Sequence, residues 1–182
     1  GVADTAQNLE GNMIDIAEEK MKELPGAETY HKTSADMKQL TVVSKKIEAG
    51  ESLTRNDLVF LYEVNAPIEG FGYQKDPRIQ ELLSKRNLKD DLSFALDIPK
   101  DKISTTKEEA LKGDILFHYG GLYLGNLTSA EGLTLPQSIG GNLYLYSLTS
   151  AEGLTLPQTI GGYLDLGNLT SAEGLTLPQS IG

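Results

Sequence analysis

The chain has no cysteine and no tryptophan. Without cysteine there can be no disulfide framework, zinc–thiolate site, iron–sulfur cluster or cysteine nucleophile. Basic residues are scarce: 16 Lys and Arg stand against 26 Asp and Glu, for a net charge of −10. Phosphate binding needs clustered Lys and Arg, so this balance argues against nucleic-acid partners and against anionic membrane surfaces. No apolar run approaches the roughly 18 residues that membrane insertion requires. Histidine occurs only at His31 and His118.

The scarcity of basic residues is not uniform. All 16 Lys and Arg precede Asp114, and from Ile115 onward the acidic residues are Glu131, Glu152, Asp165 and Glu173 alone. Twelve of the 19 glycines lie after Asp114. A boundary near Gly113 follows, dividing the 182 residues into a domain over 1–113 and a repeat region over 114–182.

The first region carries helical spacing. Ala3–Leu24 has apolar residues at Ala6, Leu9, Met13, Ile16, Ala17, Met21 and Leu24, and Pro25-Gly26 ends it. Ser34–Ala49 puts Met37, Leu40, Val43 and Ile47 on one stripe. Thr54-Arg55-Asn56-Asp57 reads as a capping box, with Asp in place of Glu, ahead of Leu58–Val64. Gly70–Tyr73 is a loop, and Asp76-Pro77 opens a helix running to Lys85 with proline in its first turn. Asn87–Leu96 and Thr106–Lys112 complete the set.

The second region repeats. The stretch LTSAEGLTLPQ occurs unchanged at Leu127–Gln137, Leu148–Gln158 and Leu169–Gln179, and residues 127–147 match 148–168 at 16 of 21 positions. A fixed period of this size marks a repeat architecture. Each copy offers two alternating segments, Leu133-Thr134-Leu135 and Leu143-Tyr144-Leu145 in the first. Glu131-Gly132 makes one corner. Gly140-Gly141 makes another, where a tight turn calls for positive φ. One coil sends Leu127, Ala130, Leu133, Leu135, Ile139, Leu143 and Leu145 inward. Equivalent positions then stack about 4.8 Å apart, so a coil that fits its neighbour once fits every neighbour. The expected fold is α+β: an N-terminal helical domain placed to cap the coils, then a short right-handed parallel β-solenoid with 21-residue coils. The copies are 127–147, 148–168 and 169–182, after a degenerate first coil over 114–126.

The pattern LTSAEGLTLPQSIGGNLYLYSLTS resembles the leucine-rich β-helix repeats of receptor L domains. It is also similar to the Gly-Gly-x-Leu-x-Leu solenoid repeats of uncharacterised bacterial and phage proteins. The resemblance spans residues 115–182 and implies recognition or scaffolding. It carries no catalytic residues, and the missing cysteines depart from the receptor L domains.

Residues able to do chemistry are few. Tyr30 and His31 share a polar segment with Glu28, a composition that could support acid–base work. The competing reading is a solvated loop. His118 lies in Ile115-Leu116-Phe117-His118-Tyr119, where alternation sets it opposite Phe117, thus outward or beneath the helices. Asp90-Asp91 could hold a metal, but as acids in a helix's first turn they need none. No metal-ligand spacing or phosphate loop occurs, and no cofactor is expected. Tyr123, Tyr144 and Asp165 form an outward file that could serve as a contact surface.

The sequence therefore reads as a non-enzymatic structural or protein-interaction module. It expects a protein partner, or further repeats, over the open end after Gly182, with no nucleic acid and no membrane insertion. In the alternative, the helical half is an enzymatic or toxin-like domain and the repeats are a targeting element.

Overall fold

The computed structural model describes Lys20 and residues 26–72 and 74–182. The helix expected over Ala3–Leu24 lies outside the described residues except at Lys20, which is helical. No described helix is long and apolar enough to cross a membrane.

Helices come first, then a parallel β-solenoid of about three turns. Helix α1 spans Ala27–Glu48 and buries Leu40 and Val43, with Met37 and Ile47 half-buried beside them. It starts seven residues before the expected Ser34, because nothing after Gly26 interrupts it; Gly26 takes the left-handed conformation at its N-cap. Helix α2, Arg55–Leu61, has the expected capping box. The Thr54 hydroxyl accepts from the Asp57 amide at 3.2 Å, and the Asp57 carboxylate accepts from the Thr54 amide at 2.9 Å. Helix α3, Pro77–Ser84, begins with proline after an Asp76 cap. Helix α4, Leu88–Leu96, is capped by Asn87. A short α5, Lys107–Ala110, follows a Thr106 cap.

The parallel sheet begins upstream of the change in composition. Strand β1, Ile103–Ser104, pairs with β2, Phe117–His118, and the sheet continues through β4 (Ser138–Ile139), β6 (Thr159–Ile160) and β8 (Ser180–Ile181). A second sheet stacks β3 (Leu122–Tyr123), β5 (Leu143–Tyr144) and β7 (Leu164–Asp165). The coil period of 21 residues is the register of every pair from β2 onward, Ile139 opposite Ile160 and Leu143 opposite Leu164.

The expected inward set forms the solenoid core. Ala130, Ile139, Leu143 and Leu145 are buried, and Leu127, Leu133 and Leu135 pack half-buried against them. Two local expectations fail. Leu133–Leu135 is not a strand; the ladder forms five residues later, at Ser138–Ile139. Pro136, directly after the expected strand, has no N–H to give a ladder. The Leu133 amide instead donates locally, to the Ala130 carbonyl at 3.0 Å. Gly140 and Gly141 do not have positive φ. Their requirement is space. A Cβ on Gly141 would stand 2.7 Å from the Gly120 carbonyl carbon, and one on Gly161 would stand 2.5 Å from the Gly140 oxygen. Backbone stacks on backbone at this corner, and only glycine allows it. Positive φ belongs to the other corner, where Gly132, Gly153 and Gly174 lie at 71°, 75° and 77°.

The helices and the first coil share a core. Ile103 and Phe117 belong to the buried helical cluster with Leu58, Leu61 and Leu92. In the next coils their file is Ser138, Thr159 and Ser180, none of which belongs to that buried cluster. The companion file runs Ser104, His118, Ile139, Ile160 and Ile181. His118 therefore points into the coil and not outward. The outer face of this first coil is helix, not water, so its apolar side chains turn out and its polar pair turns in. Ser104 Oγ and His118 Nδ1 meet at 2.9 Å.

Candidate functional site

The second sheet builds its outer surface from the same alternation that buries Leu122 and Leu143 and half-buries Leu164. Register places Tyr123 opposite Tyr144 and Tyr144 opposite Asp165, so the three residues share one outward file. The rings of Tyr123 and Tyr144 stack with centroids 4.5 Å apart and planes 15° from parallel. This geometry is a direct product of parallel in-register pairing, since the ring spacing matches the coil spacing of about 4.8 Å.

A further tyrosine joins the file from its side. Tyr163 precedes Leu164, as Asn142 precedes Leu143. Its ring meets Tyr144 edge-on, with centroids 5.1 Å apart at 84°, and the two hydroxyls are hydrogen-bonded. Asn142 organises the group. Its Nδ2 donates to the Tyr144 hydroxyl at 3.1 Å, and its Oδ1 accepts the Tyr163 amide at 3.0 Å. The bonds from Tyr163 and Asn142 hold the Tyr144 phenol below its ordinary value, and the same contact pushes Tyr163 up to about 12. Asp165, in the next coil, accepts the Gly167 amide at 3.0 Å and leaves a carboxylate edge on the file. The sequence reading missed Tyr163. It sits one residue off the strict outward register, and only the stacking of coils brings it alongside Tyr144.

Tyr146 adds a second exposed ring. It lies across Gly125 of the preceding coil, where a Cβ would come within 2.2 Å of its ring. Tyr123 and Tyr163 are 63% and 50% exposed.

The other sequence candidates disperse. Tyr30 and His31 lie on helix α1 and not in a loop. Their rings meet edge-on at 6.1 Å, and Tyr30 also leans on Phe71. Among the described residues no hydrogen bond joins either side chain to a carboxylate, so no acid–base set is assembled there. Asp90 and Asp91 occupy the first turn of α4 and are separately engaged. Asp90 pairs with Lys100 at 2.7 Å. Asp91 accepts from Arg86 at 2.8 Å and from the Tyr62 hydroxyl at 2.8 Å. Among the described residues no group of three or more His, Asp or Glu converges on a point that could hold a metal. His118 is buried, and that burial pushes its imidazole down against the opposing pull of the Gly121 backbone and Glu109.

One cleft of about 270 Å³ opens where helices meet coils, between Tyr62, Glu63, Lys75 and Tyr119 on one side and Asn142 with the glycine corner on the other. Glu63, at φ 53°, accepts the Ile68 amide and pairs with Lys75. Its strained backbone is thus used to fasten the loop that walls the cleft. No protein-family model, curated protein or solved structure matches the chain.

Proposed function

We propose that this chain is a non-enzymatic interaction module, in which the helices cap the first coil and the solenoid presents its tyrosine file to a protein partner. The observation that carries the reading is the stacked pair of exposed Tyr123 and half-buried Tyr144, held on two in-register strands and braced by Asn142. Tyrosines supply contact area at low entropic cost, and a rigid solenoid spares the cost of ordering the surface on binding. Charge suggests the partner's chemistry. From Ile115 to Gly182 there is no Lys or Arg, and Asp165 borders the file, so a segment bearing arginine or lysine suits it. Aromatic faces add cation–π attraction worth about 0.5–2 kcal/mol per contact. The leucine-rich repeats, which resemble recognition and scaffolding solenoids, fit the same role.

The end of the last described coil belongs to this reading as well. Ile139 and Ile160 are buried, whereas Ile181 in the same file is exposed, as is Leu177. We read that apolar edge as a surface covered by further repeats or by a partner.

The test is titration with an arginine–glycine peptide and with a glutamate–glycine peptide of equal length. A Tyr123→Leu/Tyr144→Leu/Tyr163→Leu variant leaves the charge unchanged. It should bind the basic peptide about tenfold more weakly, with its circular dichroism intact. Equal binding by the variant, or equal affinity for the acidic peptide, would defeat the proposal.

A further inference from the structure

We infer that the tyrosine file is also a site of covalent modification: a one-electron oxidant, such as a peroxidase acting with hydrogen peroxide, would join Tyr144 to a tyrosine of an adjacent coil as dityrosine. The inference is independent of what the surface binds.

The geometry meets the demands of the coupling. Two phenoxyl radicals must meet before either is quenched, so the rings must be neighbours and the oxidant must reach them. Tyr144 has a ring on each side, Tyr123 at 4.5 Å and Tyr163 at 5.1 Å. Both neighbours are half or more exposed. The pair Tyr62–Tyr119 is also in ring contact, at 5.8 Å, but Tyr62 is buried and spends its hydroxyl on Asp91. Tyr30 touches His31 and Phe71. Among the described tyrosines, the file alone combines contact with access.

The balance is simple. Each phenol gives up one electron and one proton, and the two electrons and two protons reduce one hydrogen peroxide to two waters. The unpaired electron spreads to the ring carbons beside the oxygen, and one such carbon from each ring forms the new C–C bond. The hydrogens displaced from those carbons return to the phenolic oxygens, so both hydroxyls survive. The product has lost two hydrogen atoms and ties two coils together across a ladder otherwise held by hydrogen bonds. Holding the rings in contact raises the effective concentration of one radical near the other far above that of a second molecule.

The sequence lends itself to the test. A glutamate-specific protease cutting after Glu131, Glu152 and Glu173 puts Tyr123, Tyr144 and Tyr163 on three separate peptides. The intact chain, dilute and treated with peroxidase and hydrogen peroxide, should gain dityrosine fluorescence while remaining monomeric on a denaturing gel. Digestion should then yield the Tyr144 peptide linked to that of Tyr123 or Tyr163, lighter by two hydrogens than their sum. Tyr144→Phe keeps the ring and should cut the intramolecular product by about tenfold or more. Tyr146→Phe, on the same peptide, should leave it unchanged. Cross-links found only between molecules, equal yield in Tyr144→Phe, or loss in Tyr146→Phe in its place would overturn the inference.

Discussion

The hydroxyl of Ser104 and Nδ1 of His118 meet at 2.9 Å inside the first coil, in the file that Ile139, Ile160 and Ile181 continue. Each group satisfies the other in a place where water is excluded. Ser104→Ala leaves the imidazole without that partner and should cost about 1–3 kcal/mol. Ser104→Ala/His118→Leu replaces both by apolar groups, as in the later coils, and should fall within about 1 kcal/mol of the parent. Urea denaturation of the three proteins checks this. A double variant less stable than Ser104→Ala would refute the pairing argument.

The same histidine sets a pH dependence. Burial lowers its pKa in the folded chain, while the unfolded chain takes up the proton near about pH 6.5. The unfolded state thus binds more protons just below that value, so stability is complete above it and falls as the pH drops, levelling below the folded pKa. Between about pH 7.5 and about pH 5.5 the parent should lose more stability than Ser104→Ala/His118→Leu. Identical slopes in the two proteins would remove His118 as the cause.

The Glu109 carboxylate acts in the same sense, at lower pH. Hydrogen bonding to Lys89, the Thr105 amide and the Lys89 charge hold Glu109 down at about 2, linking α5 to α4. Its contribution is present above the ordinary carboxylate range and is lost as the pH falls through about 4 toward 2. The pair is about one-third exposed, so the gain is well under what a buried pair would supply. Glu109→Gln should flatten the acid limb of the stability curve slightly and leave stability at neutral pH reduced by about 1 kcal/mol or less. An unchanged acid limb would show that Lys89 and Glu109 do not couple.

Two glycine corners should respond differently to alanine. At Gly161 the added Cβ would lie 2.5 Å from the Gly140 oxygen, and the coils must part to admit it. The cost should be about 1–3 kcal/mol or more. At Gly132 there is open space but φ is 71°, so the cost is the left-handed penalty of about 1–2 kcal/mol. The sharper distinction is structural. Gly161→Ala should lose amide-exchange protection at Gly161, whose N–H bonds to Ile139, whereas Gly132→Ala should keep it. Equal protection in both would show that the corner yields without cost.

Adding a coil tests the repeat energetics. A further copy of residues 162–182 placed directly after Gly182 keeps the 21-residue phase, and should cover Ile181 and Leu177 and raise the thermal midpoint. Each apolar side chain so buried contributes about 1.5–3 kcal/mol before the entropy of ordering the new coil is subtracted. A lowered midpoint would mean that the open edge is already satisfied.

Much of the fold was legible where one residue has one physical consequence. Thr54 and Asp57 announced a capping box, Asp76-Pro77 a helix start, and the spacing of Leu127, Leu148 and Leu169 a coil of 21 residues. Errors arose where two causes produce the same letter. Gly140-Gly141 suited a positive-φ turn, but the glycines answer to backbone contact with the coil beneath, which no single copy encodes. Leu133-Thr134-Leu135 alternates as a strand does, yet Pro136 withholds the ladder and the strand forms beyond it. Tyr30 and His31 have loop-like neighbours and are nevertheless drawn into α1.

By itself the sequence determined the period, the corners, the inward leucines and the outward placement of Tyr123, Tyr144 and Asp165, because strand alternation and repetition are local properties that each copy states again. Only the tertiary structure decided which side of the first coil is inside. Phe117 faces the helices and His118 the interior because burial depends on what lies across the gap. It also decided that Tyr163 joins Tyr144, a contact between residues of successive coils that exists only once the coils are stacked.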